Sequence, residues 1–353
     1  MMKESILKKY TEGISLEEGY KRIREGFAFI DGSVFGMYKV SGSGAADTLD
    51  RLAARDIAYL NIETVSEALV LDEDAKALGV PYFCRLDEDF IVLTPPGCEK
   101  AGEWISAKCA EDGVDVADLK EEKSLLFIEG PCAYKPVREV LGVDVDLLPI
   151  RGITQVEDWN GFALTVMRIG RSNEYAYAII GDDDAILKAV EDCGAYAADN
   201  GIDAGFASEE AMAVCMLETN QPNFCMLDTE NSNVFELGLA WFTQFEKEDY
   251  IGHDKLKELF AGEKAYGMVA FKGLSAKSAE IGAKILLEGE EIGCVIESCF
   301  DPKLDTVIGT AKLRQDLAVA GIELTLKDAA GESQIETVAQ PFIRPLSWDQ
   351  PIA

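Results

Sequence analysis

Residues 217–256 read LETNQPNFCMLDTENSNVFELGLAWFTQFEKEDYIGHDKL. The run places Glu218 first, then Asp228-Thr-Glu230, then Phe235-Glu-Leu-Gly-Leu-Ala-Trp241, and closes on Lys247-x-x-Tyr250-Ile-Gly252-x-x-x-Leu256. It separates two stretches of different pattern. Upstream, the spacing of Tyr20, Ile23, Arg24 and Phe27 predicts a helix over 17–27. Residues 34–40 alternate as a strand, and Ser41-Gly-Ser-Gly44 leads into an apolar-periodic helix carrying Ala46, Leu49 and Leu52. Strands at 68–72, 81–85 and 90–94 follow, Pro95-Pro-Gly97 breaks the run, and 99–108 returns to helix. The order then repeats, with a strand at 125–128, a helix at 133–141, strands at 162–168 and 174–180, and a helix at 184–193. Two such blocks predict an α+β architecture of antiparallel sheets covered by helices. Downstream, short strands at 268–271, 284–287, 293–296, 307–310 and 323–326 predict a small all-β barrel or sandwich from about residue 265 on.

Composition narrows the function. The 353 residues exceed one core's usual reach, so two or three domains are expected. Thirty-three basic against 64 acidic residues leave a net charge of −31, a field that repels nucleic acid and anionic membranes. No apolar run approaches the roughly 20 residues that span a bilayer, and the start has no apolar signal core, so a cytoplasmic location is expected. Nine cysteines without a Cys-x-x-Cys pair read as reduced, mostly buried thiols. The single histidine, His253, follows a glycine and reads as a surface residue at a helix start. A zinc site or a Ser-His-Asp triad lacks its ligands or its base. Gly42-x-Gly44 lacks the rest of a phosphate-binding motif and reads as a tight strand-to-helix turn.

The order and spacing of the 217–256 motifs resemble the aminomethyltransferase family, the folate-dependent T-proteins of the glycine cleavage system and their demethylase relatives. The likeness extends along the chain through Arg24-Glu-Gly-Phe-Ala-Phe-Ile-Asp31-Gly-Ser33, Val40-Ser-Gly-x-x-Ala45-x-x-x-Leu49 and Glu129-Gly-Pro131-x-Ala133. It ends with Gly293-x-Val-x-x-Ser298-x-x-Asp-Pro302-x-Leu304 and Val338-Ala-Gln-Pro-Phe342. The resemblance implies two interleaved ferredoxin-like domains within 1–264 and a C-terminal β-barrel over 265–353, a cloverleaf around a central folate channel. It implies tetrahydrofolate as cofactor, with the pterin edge on Glu174, the last residue of Arg168-Ile-Gly-Arg-Ser-Asn-Glu174. A carboxylate suits that edge because it accepts two hydrogen bonds from an aminopyrimidine. Trp241 and Phe35 fall where the family lines the channel, although core packing suits both equally. Arg168, Arg171 and Lys100 are candidates for a positive channel mouth facing the folate tail.

Where the family carries its catalytic aspartate, the chain reads Thr94-Pro-Pro-Gly-Cys98-Glu-Lys100-Ala101, and Ala101 can neither take nor orient a proton. A family arginine becomes Met216, an entrance-helix histidine becomes Tyr20, and two acidic positions become Gly79 and Val80. The resemblance therefore implies a one-carbon (methyl or aminomethyl) transferase or demethylase acting on a small methylated donor, rather than a standard T-protein. Tyr20, Tyr82, Tyr177 and Glu174 are the candidate proton handlers. A non-catalytic folate-binding regulatory or assembly protein of the same fold is the alternative, and a structural subunit of a larger complex a third. The donor and any lipoyl or corrinoid partner stay open.

Overall fold

The computed structural model of the chain describes residues 4–352. The helix Leu16–Glu25 starts at a capping box in which Ser15 and Glu18 satisfy each other's backbone N–H groups. The chain then enters Phe27–Asp31, an interior strand next to the edge of a six-stranded sheet. Across that sheet the order is Ile153–Trp159, Phe162–Met167, Ala176–Gly181, Ser124–Glu129, Phe27–Asp31 and Ala204–Phe206. Only the last pairing is parallel. A second, wholly antiparallel sheet holds Thr64–Glu67, Tyr82–Arg85, Phe90–Thr94, Gly36–Ser41 and Asp115–Asp118. All strands of the second sheet come from residues 36–118, a stretch inserted between Phe27–Asp31 and the remaining strands of the first sheet.

Strand parity builds the layers, since successive side chains point to opposite faces. Phe27, Phe29, Ile128, Tyr177 and Ile179 face the helices Tyr134–Glu139 and Asp183–Asp199. Ala28, Ile30, Phe127 and Ala178 face the other way and meet Met37, Tyr82, Cys84 and Leu93 of the second sheet. That sheet's far face, with Phe83, Phe90 and Val92, packs on the helices Ala45–Leu52 and Glu99–Glu111. The result is a stack of helices, sheet, sheet and helices.

Six antiparallel strands, Tyr266–Gly273, Lys284–Leu287, Glu290–Asp301, Thr306–Arg314, Glu323–Asp328 and Gly331–Val338, close a barrel around its own core. The α+β class with a terminal barrel is as expected from the sequence. Gly130 shows why Glu-Gly-Pro recurs in the pattern: its φ is +147°, and a Cβ there would lie 2.4 Å from the Gly26 carbonyl oxygen. Gly42, at φ +110°, makes the expected turn into Ala45–Leu52. His253 opens the helix His253–Ala261 beside Asp254 and Tyr250. None of the nine cysteines is paired, and no helix among the described residues is long and apolar enough to cross a membrane.

Candidate functional site

Where the second sheet meets the segment 220–225, two cavities adjoin. One, of about 310 Å³, has apolar walls that include Val34, Val80, Cys98, Phe224 and Phe242. The other, of about 440 Å³, is edged by Arg151, Arg168, Asn173, Tyr175 and Trp348. Glu67, Tyr82 and Gln221 line both, so the two adjoin there as compartments of one candidate channel. Glu67 and Tyr82 are direct cross-strand partners, which fixes their side chains next to each other. Glu67 is ion-paired with Arg151. Burial holds the Tyr82 phenol well above its usual pKa, with Glu67 adding to the effect, so its hydroxyl stays protonated.

The apolar compartment has one buried cation. Arg171 forks onto Glu209 at 2.7 and 2.8 Å and lies over the Phe35 ring at 5.0 Å, and its buried Nε has no partner. Its loop is shaped by Glu129, whose carboxylate accepts the backbone N–H groups of Arg171 and Ser172. Burial raises the Glu129 pKa in spite of those bonds.

Behind the channel sits a buried ionic knot. Every donor of Arg24 is used: Nε and Nη2 on Glu218 at 2.8 and 2.6 Å, Nη1 on Glu174 and the Ser172 carbonyl, and Nη2 also on the Cys215 carbonyl. Tyr20 donates to the other Glu218 oxygen at 2.6 Å. Glu174 accepts from Arg24 at 3.1 Å, from the N–H groups of Leu346 and Ser347 at 3.2 and 2.9 Å, and from the Ser347 hydroxyl at 2.6 Å. Its four acceptor positions are thereby full.

Of the candidate residues singled out from sequence, the structure brings Tyr82, Glu174, Arg168 and Arg171 to the channel. Arg168 bonds the Leu148 carbonyl at 2.8 Å. The others lie elsewhere. Tyr177 points to the helix-covered face of the six-stranded sheet, its hydroxyl unpartnered. Tyr20 is committed to Glu218. Phe35 is buried under Arg171, and its neighbour Val34 lines the channel, because the short turn Gly32–Val34 resets the alternation. Trp241 is 47% exposed and borders a separate recess. Ala101 is fully buried against Gly79 in the helix core. Lys100 pairs with Glu230 on the surface. Glu67, Arg151 and Ser347 went unread, being ordinary charged or polar residues brought together only by the fold.

Glu218 and Glu297 both have carboxyls pushed up to about 7, burial being the main cause in each. The folded pKa lies above the unfolded one, so the folded state binds the extra proton. That contribution is complete below the unfolded value of about 4.3 and is lost as pH rises through 7. Stability in urea is therefore expected to fall between pH 5 and pH 8, by on the order of 1–3 kcal/mol per group. A flat profile across that window would contradict the assignment.

The chain matches the family profile described as the GCVT N-terminal domain over residues 8–247. An aminomethyltransferase of Halothermothrix orenii is 24% identical over 341 residues, covering 93% of this chain and 92% of that protein. One from Clostridium botulinum is 25% identical over 332 residues, 91% and 87% of the two chains. The crystal structure of the glycine cleavage system aminomethyltransferase T from Bartonella henselae superposes with a TM-score of 0.84 at 18% identity, covering 95% of this chain and 91% of that one, and shares its fold. The chain belongs to the aminomethyltransferase family.

Proposed function

We propose that the protein is an enzyme that binds tetrahydrofolate in the joined cavities and moves a methyl or aminomethyl unit onto it from a small donor. The observation that carries the reading is the junction at Glu67 and Tyr82, between an apolar compartment and an arginine-edged one. The residues present fit the cofactor. A flat, donor-edged ring suits Glu174 beside Tyr175 and Trp348, Arg151 and Arg168 at the edge of the same compartment suit a carboxylate-bearing tail, and the apolar compartment leaves room for the donor. Tetrahydrofolate supplies the nitrogen that accepts the one-carbon unit. The chain supplies position, exclusion of water and, through the protonated Tyr82 hydroxyl, a hydrogen bond to the reacting group. Tyr82 is the one tyrosine of the three candidates proposed for this role. The nine unpaired thiols favour a cytoplasmic setting, and the charge of −31 argues against nucleic acid as a partner.

We place the pterin edge on Glu174, with a condition. The two backbone N–H groups and the hydroxyl of the 346–347 turn already hold that carboxylate, so the ring must displace the tail to reach it. Ending the chain after Arg344 removes this competitor and is expected to tighten tetrahydrofolate binding roughly tenfold by calorimetry, as a larger fraction becomes binding-competent. Glu174→Gln is expected to weaken it by a similar factor. Unchanged affinity in both variants would sink the placement. A second reading, a folate binder without turnover, draws on the same saturated carboxylate and on the missing acid at Ala101.

A further inference from the structure

The barrel strand Glu290–Asp301 loses register with Thr306–Arg314 between Val295 and Glu297. Such a bulge re-aims a side chain, and the Glu297 side chain is turned towards Asn223 in the segment packed on the barrel, leaving the residue 8% exposed. Glu297 differs from the other buried acids of the site. Glu174 and Glu218 share Arg24, and Glu129 holds two backbone N–H groups. Among the described residues Glu297 has no cation, and its one hydrogen bond comes from Asn223 Nδ2 at 3.3 Å. A buried carboxylate without a counter-ion is costly, and proteins that keep one commonly use it.

A recess of about 40 Å³ opens beside it, bordered by Asn223, Gln340, Thr310, Met268 and Trp241. Asn223 donates one of its two amide N–H groups to Glu297, and Gln340 one of its own to the Leu217 carbonyl at 3.2 Å. Both amide oxygens are left as acceptors, beside the threonine hydroxyl and the carboxylate. The lining is thus rich in acceptors, with an aromatic side chain at its edge and no basic residue. Such a lining suits a small cation that carries its own hydrogens. The space admits one small ion or amine head and excludes a ring. Gln221, Pro222 and Asn223 also line the apolar compartment, so the recess shares a wall with the channel.

We propose that this recess binds a small ammonium cation, NH₄⁺ or the head of a primary amine, with Glu297 as its counter-ion. Binding does not depend on tetrahydrofolate, so the proposal and the folate reading fail separately. Because burial pushes the Glu297 carboxyl up to about 7, the empty site is part protonated at neutral pH. The balance is carboxylic acid plus ammonium giving the carboxylate–ammonium pair and one released proton, which the buffer takes.

The test is calorimetry at pH 7 with ammonium chloride and methylammonium chloride, in phosphate and in imidazole, whose ring the recess excludes, with potassium chloride at matched ionic strength as control. The expected result is a saturable heat with both amines, differing between buffers by the release of about half a proton per site. Glu297→Gln should weaken binding at least tenfold and abolish the buffer difference. Trp241→Phe, which leaves the carboxylate in place, should weaken it a few-fold and keep the proton release. Absence of a saturable heat, equal binding by Glu297→Gln, or equal heats with potassium would each overturn the proposal.

Discussion

Arg24→Met is expected to lose about 3–5 kcal/mol of stability in urea unfolding at pH 7, the usual cost of breaking a buried ion pair from one side. That is a large part of the 5–15 kcal/mol margin of an ordinary domain. Arg24 is 4% exposed, and all of its donors are bonded. Methionine fills similar space but leaves Glu174 and Glu218 without their shared cation, and the Ser172 and Cys215 carbonyls lose a donor. Those partners come from different places: the helix Glu209–Glu218, the 172–174 loop and, through Glu174, the tail turn at Ser347. Loss should therefore spread, with the tail releasing before global unfolding. Arg24→Lys should fall between, because one ammonium cannot reproduce a five-donor fork. The pH dependence gives a signature. Glu218 already sits near 7, so lowering pH to 5.5 protonates it and should restore part of the deficit in the methionine variant. A loss below about 1 kcal/mol, insensitive to pH, would mean that the knot is not holding the fold.

What the sequence revealed tracks how each segment is buried. The helix expected over 17–27 is seen as Leu16–Glu25, and each of the five expected downstream strands lies within a barrel strand, because their turns are marked by glycine and charge. Phe27–Asp31 was missed as a strand. Buried on both faces in the interior of its sheet, it shows an almost unbroken apolar run rather than an alternating pattern. Ile153–Trp159, a largely exposed edge strand, carries too little apolar signal to be read. The same double burial hid the site. In a four-layer stack both faces of a strand look apolar, so nothing in Ala176–Gly181 says that Tyr177 faces the helices while Ala178 faces the other sheet. Tyr82 stands among the candidate proton handlers without a motif of its own. Its cross-strand partner Glu67 needs a register that sequence does not state. The tail's hold on Glu174 spans 173 residues and has no local signature at all.

Release of ammonia from a lipoyl-bound aminomethyl group by the unmodified chain is expected to fall on the order of 10² to 10⁴ below that of a standard T-protein, the usual worth of a positioned acid–base group. The argument is about which carboxylates reach the apolar compartment. Glu67 is held by Arg151 and Glu209 by Arg171, leaving Glu210 on the first turn of its helix. Ala101, at the position where the family's aspartate is expected, faces the helix core: it is fully buried, and a Cβ built on Gly79 would lie 3.0 Å from its methyl. Ala101→Asp would thus bury a charge without a partner and should destabilise the protein without restoring turnover. Cys98 is the better position. It borders the compartment and stands at the N-cap of Glu99–Glu111, where an aspartate side chain can accept free helix N–H groups. Cys98→Asp should therefore keep the fold and raise ammonia release above the parent, while Ala101→Asp does not. Rescue by Ala101→Asp alone would show that the helix presents its other face to the substrate. Fast release by the parent would place the working group elsewhere, with Glu210→Gln the next variant to assay.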